Sequence, residues 1–165
     1  MEQRDIDYII KAHRDHSVRA DKAFRKWDGL TPYHIHPIWC ASMLATETTL
    51  DETVRHEGIQ TLLYHDVLED TELGLPNWLS GRVVGLIGSM TYSGIVEEIE
   101  KIWDQPEEVR LYKLFDKTNN LLDWQRSSVV KHERYKLYTA SLCDDAQINF
   151  GKLNIVKIAR AVLSG

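Results

Sequence analysis

Proline occurs at positions 32, 37, 76 and 106, and none follows Pro106, so the last third of the chain is open to uninterrupted helix. Punctuation this sparse argues against a sheet sandwich, which needs frequent turns. Upstream, Ile6, Ile9, Ile10, His13, Ser17, Ala20, Phe24 and Trp27 recur in steps of three and four, one stripe of a helix. A first helix is expected from about residue 6 to residue 27, ended by Asp28-Gly29. Pro37 suits the first turn of a second helix through Trp39, Met43 and Leu44. Asp51 is placed to cap a third, with Ile59, Leu62, Leu63 and Val67 on its buried side. A break over 71–77 precedes a short helix over 80–90, and Ser93 is expected to cap the next, up to residue 103. Beyond Pro106, Val109, Tyr112, Leu114, Phe115, Leu121 and Leu122 carry a helix to about residue 123. Helices over 127–144 and 149–163 close an all-α orthogonal bundle.

With 165 residues, 43% of them hydrophobic and 27% charged, residues 1–165 are expected to form a single domain with a core that needs no staple. No apolar run approaches the ~18–20 residues that cross a bilayer, and Met1-Glu2-Gln3-Arg4-Asp5 is not the start of a secretory signal. A soluble, cytoplasmic protein without membrane partners is expected. The formal charge of -5 repels phosphate backbones and argues against a nucleic-acid polymer as partner. Cys40 and Cys143 stand in no CxxC spacing and read as reduced thiols. Composition says nothing against a homo-oligomer.

His65-Asp66 is the first feature that composition leaves unexplained. On a helix His65 lies over Glu69 and Asp66 over Asp70, so four ionisable groups share about one face. Such a face is either solvated surface or the holder of a divalent metal. Lys113, Asp116 and Asn120 step by three and four through a helix otherwise rich in Leu and Phe, and a buried carboxylate there needs a partner or a metal. The plainer alternative pairs Lys113 with Asp116 on a half-exposed face. His36 precedes Pro37, whose ring restricts its backbone; a surface loop histidine is the alternative, and the preferred reading of His34. His13, on the apolar stripe, reads as a hydrogen-bonded core histidine. Two histidines and two aspartates suit manganese, iron or zinc, and four ligands leave open positions on a six-coordinate ion.

In this order, Arg25-Lys26, Thr31-Pro32-Tyr33-x-x-His36-Pro37, Leu63-Tyr64-His65-Asp66-Val67-Leu68-Glu69-Asp70-Thr71 and Lys113-Leu114-Phe115-Asp116-Lys117-x-x-Asn120-Leu121 resemble the HD-domain phosphohydrolases. Within them the chain looks most like the hydrolase domain of RelA/SpoT proteins and the small stand-alone SpoT homologues. The resemblance implies an HD-domain bundle and a Mn2+-dependent enzyme that removes the 3′-pyrophosphate from the alarmones ppGpp and pppGpp. It implies His36, His65, Asp66 and Asp116 as metal ligands, and Glu69 and Asp70 as the acidic pair that activates or positions the attacking water. Arg25 matches an arginine that packs on the guanine base, and Lys113 and Asn120 match positions lining the nucleotide pocket. The chain departs from the resemblance between Thr91 and Arg110, where relatives usually carry several basic residues and Lys101 here stands among Glu97, Glu98, Glu100, Glu107 and Glu108. It departs again at Leu122, often arginine in relatives. The alternatives are a phosphohydrolase of other nucleotides, mono- or triphosphates, and a nucleotide-binding sensor without hydrolysis.

Overall fold

The computed structural model describes residues 1–19, 23–25, 28–122 and 129–164, and all regular elements among them are helical. In chain order these are α1 (Gln3–Asp15), α2 (Ile35–Ala45), α3 (Glu52–Tyr64), the single turn α4 (Val67–Asp70), α5 (Gly81–Met90), α6 (Ile95–Lys101), α7 (Glu107–Leu122), α8 (Val129–Phe150) and α9 (Asn154–Ser164). Two residue pairs, Ser17 with Thr71 and Phe24 with Pro32, form isolated antiparallel bridges. No described helix is long and apolar enough to cross a membrane.

The centre of the bundle is α7, which packs against α2, α3, α5, α8 and α9. Its Val109, Leu111, Tyr112, Leu114, Phe115 and Leu121 are buried on nearly every side, as expected of a helix inside a core rather than on its surface. The α2–α3 hairpin lies against it so closely that a Cβ on Gly58 would stand 2.4 Å from the Tyr112 ring and 2.5 Å from Leu44. Asp51 does cap α3, its carboxylate accepting from the Thr53 and Val54 N–H groups. Cys40 and Cys143 are both free and buried.

Several boundaries differ from expectation for identifiable reasons. The first helix stops at Asp15 rather than continuing toward Trp27, which with Ala20 lies outside the described residues. Beyond it the Val18 N–H donates to the Asp70 carbonyl and the Glu72 N–H to the His16 carbonyl, tying the end of α1 to the end of α4. The Arg25 N–H then pairs with the Thr31 carbonyl, which turns the chain back toward α2. Ser93 does not cap α6; Gly94 is the N-cap, while the Ser93 N–H and hydroxyl both donate to Glu97. That helix ends at Lys101 in a 3-10 turn, Ile102–Asp104. Near the C-terminus the chain is more helical than expected, because α8 runs to Phe150 before Gly151 turns with a φ of 77°.

Candidate metal centre

Three elements bring four side chains to one buried point. His36 projects from the first turn of α2 and Asp116 from the middle of α7. His65 and Asp66 occupy the junction between α3 and α4, so they are not part of one continuous helix with Glu69 and Asp70 as the periodicity suggested. His36 Nε2 lies 3.3 Å from His65 Nε2, 3.4 Å from Asp66 Oδ2 and 3.4 Å from Asp116 Oδ1. His65 Nε2 is 3.2 Å from Asp66 Oδ1 and 3.9 Å from Asp116 Oδ1. His36, His65 and Asp116 thus offer ligand atoms within 4.8 Å of one another, with Asp66 against both imidazoles.

The other nitrogen of each ring fixes what this geometry means. His36 Nδ1 donates to Asn119 Oδ1 at 2.6 Å and His65 Nδ1 to the Leu62 carbonyl at 2.7 Å. Both Nε2 atoms are then left with lone pairs that face each other and two carboxylates, an arrangement that needs a cation or a proton at its middle. A divalent transition metal fits that donor set. The ionisation follows the same geometry. Burial pushes the His65 pKa down, but Asp66 and Asp116 outweigh it and carry it up to about 9, while burial holds His36 below its ordinary value. Asp116 is held well below the carboxylate range, its burial overcome by Lys117 and Lys113.

Behind these four groups the structure places a supporting layer. Asn119 Oδ1 also accepts from the Arg25 guanidinium at 3.0 Å, so Arg25 acts on His36 through Asn119. Arg25 is 5% exposed, with its guanidinium 5.5 Å over the Tyr33 ring. The Tyr33 hydroxyl donates to Asp66 Oδ2 at 2.9 Å. Asn120 donates to Asp116 Oδ1 at 2.5 Å, and Lys113 and Lys117 approach Asp116 Oδ2 at 3.3 and 3.0 Å. The Lys113–Asp116 pair exists, but buried and not on a half-exposed face. His13 is a core histidine, yet neither ring nitrogen has a hydrogen-bond partner among the described residues; its ring lies 5.1 Å from that of Tyr33.

Glu69 and Asp70 part company: Glu69 is exposed and Asp70 is buried. Both line a cleft of about 630 Å³ together with Arg19, Tyr92, Ser93 and Glu97. Glu69 accepts from the Tyr92 N–H at 3.0 Å. Desolvation, and then the charge of Asp66, raises its pKa. Sequence reasoning missed Asn119, Lys117, Tyr33 and Glu98 as parts of this site. Asn119 was within reach, since it stands three residues after Asp116 on the same helix. Tyr33 likewise stands one helical turn before His36.

No protein-family model matches the sequence, and no curated protein does. Among solved structures, the chain is similar to a metazoan ortholog of SpoT, a protein described as hydrolyzing ppGpp and playing a role in starvation responses. The TM-score is 0.73 at 21% sequence identity, over 98% of this chain and 92% of that one. The all-α HD-domain bundle expected from the sequence is therefore the fold of this chain.

Proposed function

We propose that the chain is a divalent-metal-dependent nucleotide phosphohydrolase, that its metal is Mn2+, and that it removes the 3′-pyrophosphate from ppGpp and pppGpp. The observation that carries this reading is the pair of imidazole Nε2 atoms 3.3 Å apart, faced by two carboxylates. The fold shared with a protein described as hydrolyzing ppGpp supports the substrate.

His36, His65, Asp66 and Asp116 would hold the ion. A bound divalent metal would lower the pKa of a coordinated water and polarise a phosphoryl oxygen. The chain's own residues do the rest. Glu69, raised in pKa at the wall of the cleft, takes or returns the proton of the attacking water, with Asp70 beside it. Asn119 and the Leu62 carbonyl hold the two imidazoles in the tautomer that leaves Nε2 free. Tyr33 fixes Asp66, and Asn120 fixes Asp116. Arg25 and Asn120 stand together at 3.4 Å, and this reading gives Arg25 the guanine base and Asn120 the nucleotide pocket.

A second reading, hydrolysis of ordinary nucleoside mono- or triphosphates, is favoured by the acidity of α6. Its one lysine, Lys101, is already paired with Glu97 at 2.6 Å. Metal-free protein reloaded with Mn2+ and offered ppGpp, GTP and GMP separates the readings. Pyrophosphate released from ppGpp is the expected result. Phosphate released from GTP or GMP with ppGpp untouched supports the second reading, and no turnover of any nucleotide contradicts both.

A further inference from the structure

We propose that Glu98, on α6, is a positioning residue of the metal centre: it balances the charge of the two lysines that orient Asp116. This rests on the metal-centre reading above.

Glu98 is 5% exposed and lies on a different helix from every ligand. Its Oε2 is 3.2 Å from Lys113 Nζ and 2.9 Å from Lys117 Nζ. Both ammonium groups also reach Asp116 Oδ2, so Glu98, Lys113, Asp116 and Lys117 close a ring of four alternating charges with no net charge. The ring divides the Asp116 carboxylate. Oδ2 is taken up by the lysines, and Oδ1 is the atom that faces His36 and His65.

The electrostatics require a fourth member. Two ammonium groups within 3.3 Å of one oxygen repel each other and would repel a divalent cation at the histidines. In a buried site that repulsion is poorly screened. Glu98, bound to both lysines, cancels one positive charge, so Asp116 stays oriented without making the centre hostile to a cation. Tyr92 and Tyr135 complete the arrangement, their rings each 5.4 Å from one ammonium. Lys113 and Lys117 are thereby committed to Asp116 and Glu98.

The test reads Mn2+ affinity, by the electron paramagnetic resonance of free Mn2+, in Glu98→Gln and in Glu98→Gln/Lys117→Met. Glu98→Gln keeps the shape and leaves one cation in excess; it should weaken Mn2+ binding about 10- to 100-fold, the usual effect of losing an outer-shell partner. Adding Lys117→Met restores neutrality and should recover most of that loss. Wild-type affinity in Glu98→Gln, or a double variant no better than the single one, overturns the proposal. Should Glu98→Gln fail to fold, the balanced double variant decides: Mn2+ binding within a few-fold of wild type supports the proposal, and failure to fold or bind overturns it. A wild-type chain that binds no Mn2+ overturns the metal-centre reading itself and this inference with it.

Discussion

Because the charges of Asp66 and Asp116 outweigh burial and carry the His65 pKa up to about 9, a metal arriving at this site must displace a proton. Below pH 9 the proton competes, so Mn2+ affinity should rise about tenfold per pH unit between pH 6.5 and 8.5. Calorimetric titrations in buffers of different ionisation enthalpy should register the released proton. A pH-independent affinity would mean that no proton leaves His65 when the metal binds. Glu69 acts differently, since it lies at the cleft and touches none of the four donors at hydrogen-bond distance. Glu69→Gln should keep the metal and lower kcat by about 10²–10⁴, the range general acid–base help supplies. Metal content and rate measured on the same sample check this. Unchanged turnover would reduce Glu69 to a surface carboxylate that receives the Tyr92 N–H.

The crossing of α3 over α7 is set by Gly58, because a Cβ there meets both the Tyr112 ring and Leu44. Tyr112 cannot swing clear without giving up the hydrogen bond from its hydroxyl to the Val54 carbonyl, at 2.7 Å. Gly58→Ala should therefore destabilise the fold by about 1–3 kcal/mol, the cost of overpacking. Urea denaturation checks it, and wild-type stability would show that α3 has slack. This crossing also bounds what could be read from the sequence. The interior helices were legible because Pro37, Asp51 and the apolar run of α7 are local signals, and the His-Pro, HD and Lys-x-x-Asp motifs placed four donors in order along the chain. The end of α1 was not legible: the stripe continues through Ser17, but hydrogen bonds from Val18 and Glu72 across to partners far along the chain prevail over helical periodicity. Nor was Glu98, since its role depends on α6 meeting α7 in space, and no spacing in the chain records that meeting.

At the scale of the whole molecule, stability and function draw on the same buried polar cluster. His13 has an unfavourable balance: burial lowers its pKa to about 4, against an ordinary 6.5, and neither nitrogen is hydrogen-bonded among the described residues. Between pH 6.5 and 4 the unfolded chain binds a proton there that the folded chain refuses. This contribution to stability approaches its full value above pH 6.5 and declines as the pH falls, by about 1.5 kcal/mol between pH 6.5 and 5. His13→Phe, which keeps a ring beside Tyr33, should flatten the fall in metal-free stability over that interval. Identical pH profiles for the variant and the wild type would place the acid lability elsewhere. His36, His65, Asp66 and Asp116 are proposed to hold one metal ion together. Metal analysis after loading with Mn2+ and removal of the excess tests it most directly, with circular dichroism to show that the helices persist. One equivalent is expected in the wild type and almost none in Asp116→Ala or His65→Ala, since the described residues bring no spare donor to replace a lost ligand; a full equivalent in Asp116→Ala would show that the ion is held elsewhere.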